Sequence, residues 1–198
     1  MGNEQGKPSG KLGVSAVATI CTIQENHVRG MSKKFSKKES DMITKDDIKE
    51  EMGNIEEKGI EPVDLELLYN MFTMFDVTGD GNVNYKEFLA GVCLLITSSD
   101  KEKLSLAFSV CDSKRTGTVN RTELRRTLTA MKNVVSYFGD PVVRDVELAM
   151  IVTEIFKKQP SSTSAIKIEE YFDDIFNHKV MQAFLSGKGK AKFGKGVE

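Results

Sequence analysis

The stretch that most constrains this chain is twelve residues long: Asp76-Val-Thr-Gly-Asp-Gly-Asn-Val-Asn-Tyr-Lys-Glu87. With Asp76 as position 1, side-chain oxygens fall at positions 1, 3, 5, 9 and 12, on Asp76, Thr78, Asp80, Asn84 and Glu87. Position 7, Asn82, offers its backbone carbonyl. Gly81 stands at position 6, where a sharp turn needs a positive φ. Val83 at position 8 is apolar, as a side chain buried between two paired loops would be. Calcium, a hard cation, takes about seven oxygens, with the last carboxylate bidentate. This spacing supplies that set from one loop. The competing reading is a polar turn between two core helices that never holds metal.

The flanks have helical spacing. Leu68, Phe72 and Phe75 precede the loop, and Phe88, Val92, Leu95 and Ile96 follow it. Helix, loop and helix in this order, with this ligand spacing, resemble an EF-hand. Only position 3 departs from the strict pattern, with Thr78 in place of Asp or Asn.

One such hand rarely stands alone, and apolar landmarks locate three more. In the loop at 36–47, Phe35 precedes Ser36 as Phe75 precedes Asp76, and Ile43 falls at position 8. Lys38 occupies position 3 and Asp41 replaces the glycine, so this hand keeps its shape but cannot hold calcium. The helix after it is expected over 45–57, before Pro62 opens the next. In the loop at 112–123, Asp112, Thr116, Thr118 and Glu123 make a weak or silent metal set, with Gly117 and Val119 keeping the frame. Lys114 puts an amine where an oxygen belongs. The fourth loop, near 159–170, has no carboxylate before Glu169. With Ile166 at position 8, Glu170 is position 12, and a register one residue away remains open. Its entering helix is expected over 142–158 with Val146, Met150 and Ile155 or Phe156 inward. Its exiting helix is expected to carry Tyr171, Phe172, Ile175, Phe176, Val180 and Phe184.

The organisation expected is all-α: a flexible arm over 1–22, an N-terminal hand pair over 23–98, a C-terminal pair over 99–186 and a basic tail over 187–198. Gly2 after Met1 permits N-myristoylation, although Gly6 stands where the pattern wants Ser or Thr. One acyl chain binds membranes only marginally, so Arg29, Lys33, Lys34, Lys37 and Lys38 would have to assist a weak membrane contact. A solvated helix face is the plainer reading of that cluster. A net charge of −1 leaves no global nucleic-acid footprint. Cys21, Cys93 and Cys111 have no metal spacing and read as reduced thiols of a cytosolic protein. No apolar run approaches membrane-spanning length. His27 and His178 lack any nucleophile or base-orienting motif, so no enzyme is expected.

The phrase Leu94-Leu-Ile-Thr-Ser-Ser-Asp-Lys-Glu-Lys-Leu-Ser-Leu-Ala-Phe108 resembles the junction between hand pairs in neuronal calcium sensors, calcineurin B and calaxin. That resemblance implies two hand pairs packed together, with an apolar groove for an amphipathic target helix or coiled coil. It implies Ca²⁺ held by Asp76, Thr78, Asp80, Asn82, Asn84 and Glu87. The Cys-Pro pair of neuronal sensors is absent from the first loop, and calaxin also has a silent first hand. The implied function is a calcium sensor in the cytoplasm, with a ciliary or flagellar dynein regulator as the finer reading. The alternative is a calcium-independent docking subunit, such as one of the ciliary outer-dynein docking complex.

Overall fold

The computed structural model describes residues 13–53, 59–112, 114–139, 143–160 and 163–185. Gly2 and the basic tail 187–198 lie outside the described residues. Those described form ten helices and four very short strands. The N-terminal half runs α1 (Val14–Ile20), α2 (Glu25–Phe35), β1 (Met42–Ile43), α3 (Lys45–Met52), α4 (Pro62–Phe75), β2 (Val83–Asn84) and α5 (Tyr85–Val92). A 3₁₀ turn over Cys93–Leu95 leads into α6 (Asp100–Cys111). Then follow β3 (Thr118–Asn120), α7 (Arg121–Tyr137), α8 (Asp145–Lys157), β4 (Ala165–Lys167), α9 (Ile168–Phe176) and α10 (Lys179–Leu185).

Local chemistry sets the helix starts. Pro62 opens α4 at its first turn, where its missing N–H costs nothing. Reciprocal capping boxes open α3 (Thr44 with Asp47), α6 (Ser99 with Glu102) and α7 (Asn120 with Glu123). His27 serves the same purpose in α2, its Nδ1 accepting the Gln24 N–H at 3.1 Å. His178 accepts the Val180 N–H at 3.2 Å and so opens α10. Both histidines therefore fix helix ends.

Each pair of loops is joined by a minimal antiparallel ladder. Ile43 faces Val83, and Val119 faces Ile166. These four are the position-8 residues, all buried, and the second pairing selects the register with Glu170 at position 12. Each ladder adds one equivalent hydrogen bond. The Tyr85 N–H donates to the Asp41 carbonyl, and the Ile168 N–H to the Gly117 carbonyl, both at 2.9 Å.

The core runs through both pairs without a break. Phe88 sits edge-on to Phe72 and to Phe75, each with centroids 6.2 Å away. Helix α5 also packs on α7, joining the exiting helices of the second and third hands. Gly91 permits that approach: a Cβ there would meet Val134 Cγ2 at 2.6 Å and the Phe75 ring at 3.0 Å. Gly91→Ala is therefore expected to cost about 1–3 kcal/mol by overpacking, despite the better helix propensity of alanine. Urea unfolding that matched the parent would show that α7 can yield.

Three expectations need correction. The arm over 1–22 was expected to be flexible, but residues 14–20 form α1, which buries Val14, Val17 and Ala18 against the Cys93–Leu95 turn. Thr22 ties the following segment to α4. Its N–H donates to Asp64 Oδ2 at 2.8 Å, its hydroxyl donates to the same oxygen, and it accepts the Glu61 N–H at 3.0 Å. On α8, Val146 and Met150 point outward, 56% and 51% exposed, while Leu148, Ile151, Val152, Ile155 and Phe156 form the buried face. The fourth exiting helix is broken at Asn177–His178 into α9 and α10. The helix expected over 45–57 is described only as α3, because 54–58 lie outside the described residues.

Burial keeps the thiols protonated. Burial pushes the Cys21 thiol up to about 12 and the Cys111 thiol up to about 11, and raises Cys93 as well. All three cysteines are free.

Candidate metal centre

The loop at 76–87 starts where α4 ends, with the Asp76 N–H donating to the Phe72 carbonyl at 2.9 Å. Gly79 and Gly81 take φ of +70° and +76°, and a Cβ at either would meet open space, so the backbone and not crowding selects glycine. Asp76 Oδ2 accepts the Gly81 N–H at 3.1 Å. Asp80 Oδ1 accepts the Asn82 N–H at 2.9 Å. Asn84 Oδ1 caps α5, accepting the N–H groups of Lys86 at 3.0 Å and Glu87 at 3.3 Å. Thr78 is exposed at the loop tip.

Two features stand out in this loop. Asp76 Oδ1 is buried and has no hydrogen-bond partner among the described residues. A carboxylate oxygen stripped of water without a partner is costly and calls for an ion or donor. Glu87, at position 12, is directed elsewhere: its Oε1 lies 3.8 Å from Arg126 Nε on α7. Accordingly, no three Asp, Glu, His or Cys side chains converge among the described residues. The loop backbone is preformed, while its last carboxylate is engaged with the other hand pair.

The third loop repeats the frame with a different outcome. Asp112 takes nearly the backbone conformation of Asp76, φ −82° and ψ 65° against φ −78° and ψ 69°. Both its oxygens are occupied, Oδ2 by the Gly117 N–H at 2.6 Å and Oδ1 by the Thr116 N–H at 3.0 Å and hydroxyl at 3.2 Å. The hydroxyls of Thr116 and Thr118 lie 2.8 Å apart, and Glu123 Oε2 accepts the Asn120 N–H at 2.8 Å. Arg115 carries φ +52° where the second loop has Gly79. These oxygens satisfy the protein itself.

In the first loop an ammonium lies against the position-12 carboxylate, with Lys38 Nζ 2.6 Å from Asp47 Oδ2. In the fourth, Glu170 meets Lys167 at 3.4 Å and the loop offers no carboxylate before Glu169. Sequence reasoning selected the oxygens of the second loop but missed Arg126. No local pattern links Arg126 to Glu87. The Lys38–Asp47 pair was findable, since its members stand at positions 3 and 12 of one loop.

Two ladder-joined pairs of helix-loop-helix hands, one loop of which holds a buried carboxylate oxygen without a partner among the described residues, define a helical protein built from paired hands. No protein-family model matches the chain. Among curated proteins, the calcineurin B protein of Naegleria gruberi is 31% identical over 152 residues, spanning 74% of this chain and 77% of that protein. The type 2 calcineurin B protein of Bos taurus is 30% identical over 135 residues, 66% of this chain and 70% of that protein. The calcium-binding protein NCSA of Dictyostelium discoideum is 29% identical over 139 residues, 70% of this chain and 72% of that protein. The chain belongs to the EF-hand superfamily, with calcineurin B among its relatives.

Proposed function

We propose that this chain is a calcium-responsive regulatory protein. It takes one Ca²⁺ through Asp76, Thr78, Asp80, the Asn82 carbonyl, Asn84 and Glu87, and it answers to a protein target presenting an amphipathic helix or coiled coil. The observation that carries this reading is the contrast between two similar carboxylates. Asp76 keeps a buried oxygen without a partner among the described residues, whereas both oxygens of Asp112 are satisfied within their own loop. A bound Ca²⁺ supplies the charge that compensates Asp76, Asp80 and Glu87 together. Glu87 stands in the first turn of α5, so an inward movement of its carboxylate loads that helix. Phe88, Leu89 and Val92 of α5 are all fully buried, and the helix touches α7. Displacing it disturbs both hand pairs.

The test is calorimetric titration of Ca²⁺ into metal-free protein, with a dye for exposed apolar surface in parallel. One equivalent, with a dissociation constant of about 10⁻⁷ to 10⁻⁵ M, and a change in dye signal are expected. Absence of heat would end the calcium reading.

A second reading, a docking subunit that ignores calcium, has its own support. The first and third loops are held by their own side chains, and the apolar residues that point between the N-terminal helices, Val28, Phe35, Phe72 and Phe88 among them, are buried. Partner binding indifferent to chelator would favour it. The ciliary setting rests on the resemblance to calaxin through the silent first hand. Weak membrane contact rests on Gly2 and the basic cluster over 29–38. Within that cluster Arg29, Lys34 and Lys38 already face carboxylates of Glu25, Glu50 and Asp47. No helix among the described residues is long and apolar enough to cross a membrane.

A further inference from the structure

In a metal-loaded hand, positions 3 and 12 meet at the ion, so the ion ties the early loop to the exiting helix. In the first loop those positions are Lys38 and Asp47, and they meet directly, Nζ to Oδ2 at 2.6 Å. The same oxygen accepts the Thr44 N–H at 2.8 Å and the Thr44 hydroxyl at 3.1 Å. It is thus gripped by one cation and two local donors at the start of α3. Burial raises the Asp47 carboxyl, but the donors from Lys38 and Thr44 outweigh it and hold the group below its ordinary value.

The first loop is also wired to the second. Met42 and Ile43 pair with Asn84 and Val83. The Asp41 carbonyl takes the Tyr85 N–H at 2.9 Å, and the Asp41 carboxylate takes Lys86 Nζ at 2.8 Å. Tyr85 and Lys86 immediately precede Glu87. A first loop that keeps its shape therefore fixes the place from which Glu87 acts.

We infer that Lys38 is a tethered cation that substitutes for the metal of the first loop, and that it is a positioning residue for the loop at 76–87. The effect on calcium rests on the function proposed above; the effect on the metal-free ladder does not.

Two readouts on the full chain test this. In metal-free protein, Lys38→Gln should speed amide hydrogen exchange at Ile43 and Val83 by about two- to fivefold, the size of a partly exposed ion pair. Lys38→Arg, which keeps a cation, should restore most of the protection. Unchanged exchange in Lys38→Gln overturns the inference, whether or not the parent protein takes up calcium. In calcium titration, Lys38→Gln should weaken binding by a similar factor. The sign is diagnostic, because removing a positive charge near a cation site by itself strengthens cation binding. Tighter binding in Lys38→Gln therefore also overturns the inference. A parent protein that binds no calcium would sink the proposed function and leave the exchange result to decide on Lys38.

Discussion

Glu87→Gln is expected to weaken calcium binding about thirtyfold or more. The change is nearly isosteric and leaves the α5 cap intact, because Asn84 binds the backbone N–H of residue 87 and not its side chain. What is lost is one of three loop carboxylates, and the one placed to give two oxygens at once. Removing a charged partner from a desolvated contact costs about 2–5 kcal/mol, which sets the lower bound on the fold-change. Folding should hardly notice. The Arg126 contact at 3.8 Å joins side chains 65% and 37% exposed, and such pairs contribute little. Calorimetric titration with a parallel urea melt separates the two effects. Unaltered affinity would remove Glu87 from the ligand set, and a large loss of stability would mean that it has a structural role instead.

The largest loss of stability is expected one residue further on. Phe88 is fully buried, and its ring lies edge-on to those of Phe72 and Phe75. Phe88→Ala removes a large apolar side chain where three aromatic rings from α4 and α5 meet. The neighbours are fixed on two helices and cannot collapse fully into the gap. A cost of about 3–5 kcal/mol follows, comparable with the whole margin of a small domain. A urea midpoint that barely moved would show that this part of the core rearranges freely. Because Phe88 follows Glu87 on the same turn, calcium affinity should fall as well, by less than in Glu87→Gln.

The frame of the loop and Phe88 were legible in the sequence for different reasons. The loop is a local object: its ligand spacing, its glycine at position 6 and its apolar position 8 all lie within twelve residues, and the ladders join the position-8 side chains. Phe88 followed from helical spacing next to that loop. Spacing placed Ile155 and Phe156 inward on α8 but failed on Val146 and Met150, because the helix also offers a second apolar set of Leu148, Ile151 and Val152. Only the neighbouring helices decide which set turns inward. Helix α1 was missed because its first residue has no side-chain cap and its support, the Cys93–Leu95 turn, lies far along the chain. The break before α10 depends on one histidine accepting a hydrogen bond from a backbone N–H, which no apolar pattern encodes. The Arg126–Glu87 contact joins the two hand pairs and had no local signature.

The hydrogen bonds that close the third loop on itself, and the lysine that closes the first, also shape the dose response. Sigmoidal binding needs several sites that share an equilibrium. With one loop taking the ion, as proposed above, there is none to share, so occupancy should rise along a simple hyperbola as free calcium rises. Such a protein works as a dimmer and not as a trigger. Any steepness in a pathway that uses it has to come from the partner, or from several copies of this chain bound side by side.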